Sequence, residues 1–293
     1  MRYNSRSELP EIRRARAIAF SVTVCEGYGC PIDSRKVAAC EAGFDITVLP
    51  GASVPPEFLR LWRRRFAGAV ASESARAELY ERLPHLRAIF DSSLWSLLEP
   101  SCRLKCIDET AVCTRINGKS LAVFCSKTLP LYCACPAWHR LAPLLAILRT
   151  QSSEWFFERM WLRNNFSAFC ALMCLRPSHR KLAVPLWRAI NILAEEGMLG
   201  ELKHWPASEE YLEDLLQRQV RLGECLIREG WVSGWTDDCL VWLWHLSEPS
   251  CIGTVGALES AVEGAPVDKP AYLNMRVRRE VAKMASTAIS VCV

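Results

Sequence analysis

The sequence predicts an α+β fold that is predominantly α. It reads as one compact domain over residues 1–293, with a mixed α/β part at 1–136 and a helical part at 137–293. Three observations predict this. Half of the 293 residues (51%) are apolar and the net charge is only +4, which excludes a disordered chain and leaves material for a sizeable core. Runs rich in β-branched residues and closed by Gly or Pro lie within the first 136 residues. From Trp138 onward apolar residues recur at helical spacing almost without interruption.

In chain order, Ala17 to Cys25 (AIAFSVTVC) reads as a strand, because β-branched and aromatic residues dominate it and Gly27-Tyr28-Gly29-Cys30-Pro31 closes it. Phe44 to Leu49 is a second strand candidate, closed by Pro50-Gly51. Phe58, Leu59, Leu61, Trp62, Phe66, Ala69 and Val70 then follow a helical period, with Pro55-Pro56 as a helix start. The basic run Arg63-Arg64-Arg65 falls inside that helix and reads as a solvated face. Residues 101–136 read as short strands and turns, with Asn117-Gly118 as a hairpin signal. Helices are expected near 138–149, 153–175, 182–197, 208–229, 238–247 and 271–288. Ser208 followed by Glu209 and Glu210 is an N-cap with an acidic first turn, and Gly197, Gly200 and Gly230 mark helix ends.

Several function classes are excluded or weakened. No stretch of about 18 residues lacks a charge, so a membrane-spanning helix is not expected. The first twenty residues carry Glu8 and Glu11 and lack the apolar core of a secretory signal. Neither a Met-Gly start nor a prenylation box is seen, the end being Ser290-Val291-Cys292-Val293. A charge of +4 is too small to argue for nucleic acid. No Gly-rich phosphate loop occurs, and the acid pairs Glu195-Glu196 and Glu209-Glu210 read as helix surface.

The 15 cysteines are mostly embedded in apolar runs such as Phe169 to Cys174, where they act as small hydrophobes. Zinc favours four soft ligands presented as two close pairs. Cys102-x3-Cys106 and Cys133-x-Cys135 flank the hairpin signal, but neither has the C-x2-C spacing, and Cys25-x4-Cys30 alone is no better. A zinc- or cysteine-dependent module or enzyme centred on Cys102, Cys106, Cys133 and Cys135 is the second reading. The first takes no metal and no cofactor, and assigns no catalytic residue.

The aromatics are more informative. Eight of the eleven Trp lie after residue 150, and the segment Leu240 to Leu246 (LVWLWHL) is apolar on more than one face. Such a helix must be covered by its own chain or by a partner. Trp235, Val241, Trp242, Trp244 and Leu246 are the candidate partner-binding residues.

In segment order the chain resembles the herpesvirus cytoplasmic envelopment protein 1 family. The resemblance rests on Gly43 to Leu49 followed by Val54-Pro55-Pro56 and the Leu59, Leu61, Phe66 helix. It continues through Leu144 to Leu148, Phe157-Glu158-Arg159, Phe169 to Met173, Val184 to Trp187 with Ile190 to Leu193, and Leu240 to Pro249. These patches cover about a third of the chain, and residues 101–136 and the last forty or so depart from the pattern. The resemblance implies a compact, mostly helical, non-enzymatic tegument protein that binds a palmitoylated viral tegument protein. It implies localisation to the virion tegument, the host cytoplasm and, through that partner alone, Golgi-derived membranes, with a role in secondary envelopment and virus egress.

Overall fold

The computed structural model describes residues 8–43, 54–116, 119–120, 128–134, 136–260, 267–285 and 289–291. Among them the fold is all-α, which corrects the α+β expectation. The helices are α1 (Pro10–Gly27), α2 (Ser34–Glu41), α3 (Pro56–Phe66), α4 (Glu73–Arg82), α5 (Leu86–Phe90), α6 (Ser93–Leu98), α7 (Leu104–Cys113), α8 (Thr128–Ala134), α9 (Trp138–Arg149), α10 (Phe156–Met173), α11 (Ala183–Glu195), α12 (Glu209–Arg228), α13 (Asp237–Leu246), α14 (Ile252–Ser260) and α15 (Ala271–Ala285). Extended structure is limited to three segments of two or three residues. Thr114–Ile116 pairs antiparallel with Lys119–Ser120 and with Ile289–Val291. Asn117-Gly118, the hairpin signal between the first two, lies outside the described residues, as does the strand candidate at Phe44 to Leu49.

The main error lies in α1. Ala17 to Cys25 is the second half of an 18-residue helix, not a strand. Twelve of its residues are buried, so it carries no amphipathic period, and a uniformly apolar run cannot be told from a buried strand by pattern alone. Its hydroxyls fit the helix: Ser21 Oγ donates to the Ala17 carbonyl at 2.8 Å and Thr23 Oγ1 to that of Ala19 at 2.9 Å. Pro10 opens the helix, where a missing N–H costs nothing.

The chain divides into two compact units, Met1–Cys102 with Ser178–Glu196, and Arg103–Pro177 with Gly197–Val293. This division does not follow the 136/137 boundary read from the sequence, because α11 returns to the first unit. In the first unit α1 is the hub, packed by α3, α5, α6 and α11. Phe20, Val24, Trp62, Leu79, Leu86 and Phe90 share its core. The arginine run is only partly solvated. Arg63 and Arg64 are exposed, but Arg65 is buried, with its guanidinium 4.5 Å from the Trp62 ring and 3.6 Å from Glu41.

In the second unit α7 packs on α9, and α10 on α8, α9, α12 and α13. The six expected C-terminal helices are present with end shifts of a few residues, including the Ser208 N-cap, whose oxygen accepts from Tyr211 N. Buried α13 is covered by α8, α10, α12, α14 and α15 of its own unit.

Candidate functional site

A concavity lies in the second unit, a groove of about 1040 Å³ lined by α10, α12, α13, α14 and α15. Its base is apolar, built from Trp161, Ala168, Leu172, Leu215, Leu222 and Trp244. Each helix contributes through its period. On α12, Leu212, Leu222 and Leu226 face inward while Glu213, Asp214 and Arg218 face solvent, and Leu215 is left half-covered at the groove wall. On α14, Ile252 is 72% exposed at the rim. Arg218 Nε lies 3.2 Å from Glu259 Oε1, which links α12 to α14 along that rim.

The other wall is a four-residue charge cluster. Buried His245 has Nδ1 at 3.2 Å from Glu248 and Nε2 at 2.7 Å from Glu280. Arg276 forks onto both oxygens of Glu248, at 2.8 and 2.9 Å, and approaches Glu280 at 3.7 Å. Burial pushes the Glu248 carboxyl upward, but the hydrogen bonds from Arg276 and His245 outweigh it and leave it below the ordinary range. The reverse holds for Arg276, whose pKa is raised against burial by Glu248 and Glu280. Each member is paired with another, so the cluster pins α15 to α13.

Of the predicted partner-binding residues, Trp244 and Leu246 line the groove. Val241, Trp242 and Leu246 are buried, and Trp244 is covered except for the part that forms the groove base. Several of the aromatic side chains cover one another. Trp231 and Trp242 rings lie 5.0 Å apart, and Lys269 Nζ sits 5.1 Å over Trp242 while donating to the Trp231 carbonyl at 2.7 Å. Trp161 and Trp244 are 6.3 Å apart. Trp235 is half-buried against Gly223 of α12. No tryptophan is exposed; the exposed large apolar side chains include Phe156, Phe157 and Met160 on the first turns of α10.

Cys133 is fully buried in α8, where burial pushes its thiol well up, away from ligand chemistry. Cys106 is half-buried on α7, Cys102 belongs to the first unit, and Cys135 lies outside the described residues. Among the described residues no group of three or more His, Cys, Asp or Glu is placed to hold a metal ion, and no helix is long and apolar enough to cross a membrane.

Sequence reasoning missed Glu248, Arg276 and Glu280. Local spacing was available, since His245 and Glu248 are three apart and Arg276 and Glu280 four apart on a helix. Their meeting across some thirty residues was not. No protein-family model, no curated protein and no solved structure matches the chain.

Proposed function

We propose that the protein is a non-enzymatic adaptor that takes an amphipathic helix of a partner into the groove of its second unit. The groove itself carries the reading: an apolar base open to solvent, with charges of both signs on its rims, fits a helix that presents an apolar stripe between polar flanks. The wall cluster is spent on internal pairs, which favours binding over catalysis. The resemblance supplies the class of partner, a palmitoylated viral tegument protein. The setting it implies is secondary envelopment and virus egress, in the virion tegument, host cytoplasm and, through the partner, Golgi-derived membranes. A lipidated partner would bring a membrane anchor that no described helix of this chain provides.

The test is co-expression of the full chain with the palmitoylated tegument protein of the same virus, followed by co-purification and imaging. Gly256→Arg is the informative variant. Gly256 lines the groove, and a Cβ added there meets nothing within 4 Å, so an arginine can leave the helix without a clash at its root while its length obstructs the groove. The expected result is a wild-type complex at Golgi-derived membranes, lost in Gly256→Arg with a melting temperature no lower than wild type, since α14 loses an interior glycine. An undiminished complex in that variant would remove the groove from the proposal.

A further inference from the structure

A cluster of thiols in the first unit stands apart from the groove. Helix α1 ends in a Schellman turn: Gly29 is left-handed at φ 62°, its N–H donates to the Glu26 carbonyl at 3.0 Å, and Cys30 N–H donates to the Cys25 carbonyl at 2.9 Å. This turn brings the side chain three residues before the cap against the one two residues after it. In most helices that contact is a pair of hydrophobes. Here both positions are cysteine. A third thiol, Cys40 from α2, also hydrogen-bonds to the Cys30 sulfur. None of the three is in a disulfide.

We propose that Cys25 and Cys30 form a redox-active dithiol, with Cys30 the reacting thiol and Cys25 the resolving one. The asymmetry follows from position. Cys25 is fully enclosed, whereas Cys30 is 8% exposed and lies between exposed Gly29 and Pro31. The hydrogen bond from Cys25, then that from Cys40, lowers the Cys30 thiol pKa, against burial and the nearby Asp33 carboxylate. The Cys25 thiol is raised by its bond to Cys30 and by burial, with Lys181 opposing.

The oxidant is hydrogen peroxide. The Cys30 thiolate attacks one peroxide oxygen, the O–O bond breaks, and hydroxide leaves with Cys30 as sulfenic acid. The Cys25 sulfur then attacks the Cys30 sulfur, the S–O bond breaks, and water leaves with the Cys25 proton. In sum, two thiols and one peroxide give one disulfide and two waters. The bond staples the C-terminus of α1 to the turn that leads to α2.

The experiment uses the full-length folded protein and hydrogen peroxide, with peptide mapping by mass spectrometry. Cys170 is the internal control, because it is equally exposed at 8% but its thiol is held well above the ordinary range by burial. Cys30 is expected to react at least about tenfold faster than Cys170, as its greater thiolate fraction requires, and to yield a Cys25–Cys30 disulfide that dithiothreitol reverses. Cys30→Ser should abolish the disulfide, Cys40→Ser should leave it, and Cys25→Ser should leave a Cys30 sulfenic acid that dimedone traps. Circular dichroism identifies any variant that fails to fold, and the wild-type comparison of Cys30 with Cys170 needs no variant. Equal rates at those two residues, or a Cys30–Cys40 disulfide in their place, would overturn the assignment.

Discussion

Gly223 and Trp235 give a test in which the sign of one substitution should reverse. Gly223 lies in the interior of α12, where glycine costs about 1 kcal/mol relative to alanine. Propensity alone therefore predicts that Gly223→Ala stabilises. The structure predicts the opposite. A methyl at Gly223 would sit 2.9 Å from Trp235 Cζ3 and 3.0 Å from Cζ2, and closer still to Cη2. Carbon contacts are comfortable at about 3.5–4 Å, so the indole must retreat by roughly 1 Å. Overpacking of that kind costs about 1–3 kcal/mol. In a Trp235→Ala background the obstacle is gone, and the same Gly223→Ala change should stabilise by about 1 kcal/mol. The propensity gain is common to both backgrounds, so they should differ by the overpacking cost alone, roughly 1–3 kcal/mol for one methyl group. Calorimetric melting of the four proteins closes the cycle, and amide exchange along α12 locates the effect. If Gly223→Ala stabilises the wild-type chain, Trp235 does not rest on α12 and the packing described for that wall of the second unit is wrong.

Three further outcomes are expected. Trp242→Ala, which empties a fully enclosed site, should cost about 3–5 kcal/mol in thermal unfolding, whereas Ile252→Ala at the groove rim should stay within about 0.5 kcal/mol. Glu158 is 1% exposed and neither carboxyl oxygen has a hydrogen-bond partner among the described residues, so Glu158→Met should raise stability by about 1–3 kcal/mol at neutral pH in a urea titration. Burial raises the Glu158 pKa, so the native state holds its proton to higher pH than the unfolded chain; its contribution is fully present below the ordinary carboxylate range and is lost as pH rises through the raised value. Stability curves of wild type and Glu158→Met against pH should diverge upward in pH, and parallel curves would place the carboxylate in contact with water.

The helical half was legible because its signals are local. Ser208, Glu209 and Glu210 announce α12 through groups that bond within one turn, and the leucine period of that helix fixes its inner face. The first unit was misread at α1 for the complementary reason. A helix enclosed on every side shows no face, and its valines and threonine then resemble a strand. The cysteine pairs at 101–136 were weighed by spacing alone, yet the pair set in contact by geometry is Cys25 and Cys30, whose five-residue separation gains meaning only with Gly29 in a left-handed cap.

Composition and periodicity by themselves determined that this chain folds around a large apolar core, where most of its helices run, and that α13 must be covered on more than one side. Tertiary structure alone decided what covers it. The indoles of Trp231, Trp242 and Trp244 find neighbours within their own unit, and Trp244 and Leu246 of α13 also line the groove there. The physical reason is that burial is a property of contacts between distant segments. Hydropathy records how much surface must leave water, and only the packing of α10, α12, α14 and α15 records where it goes.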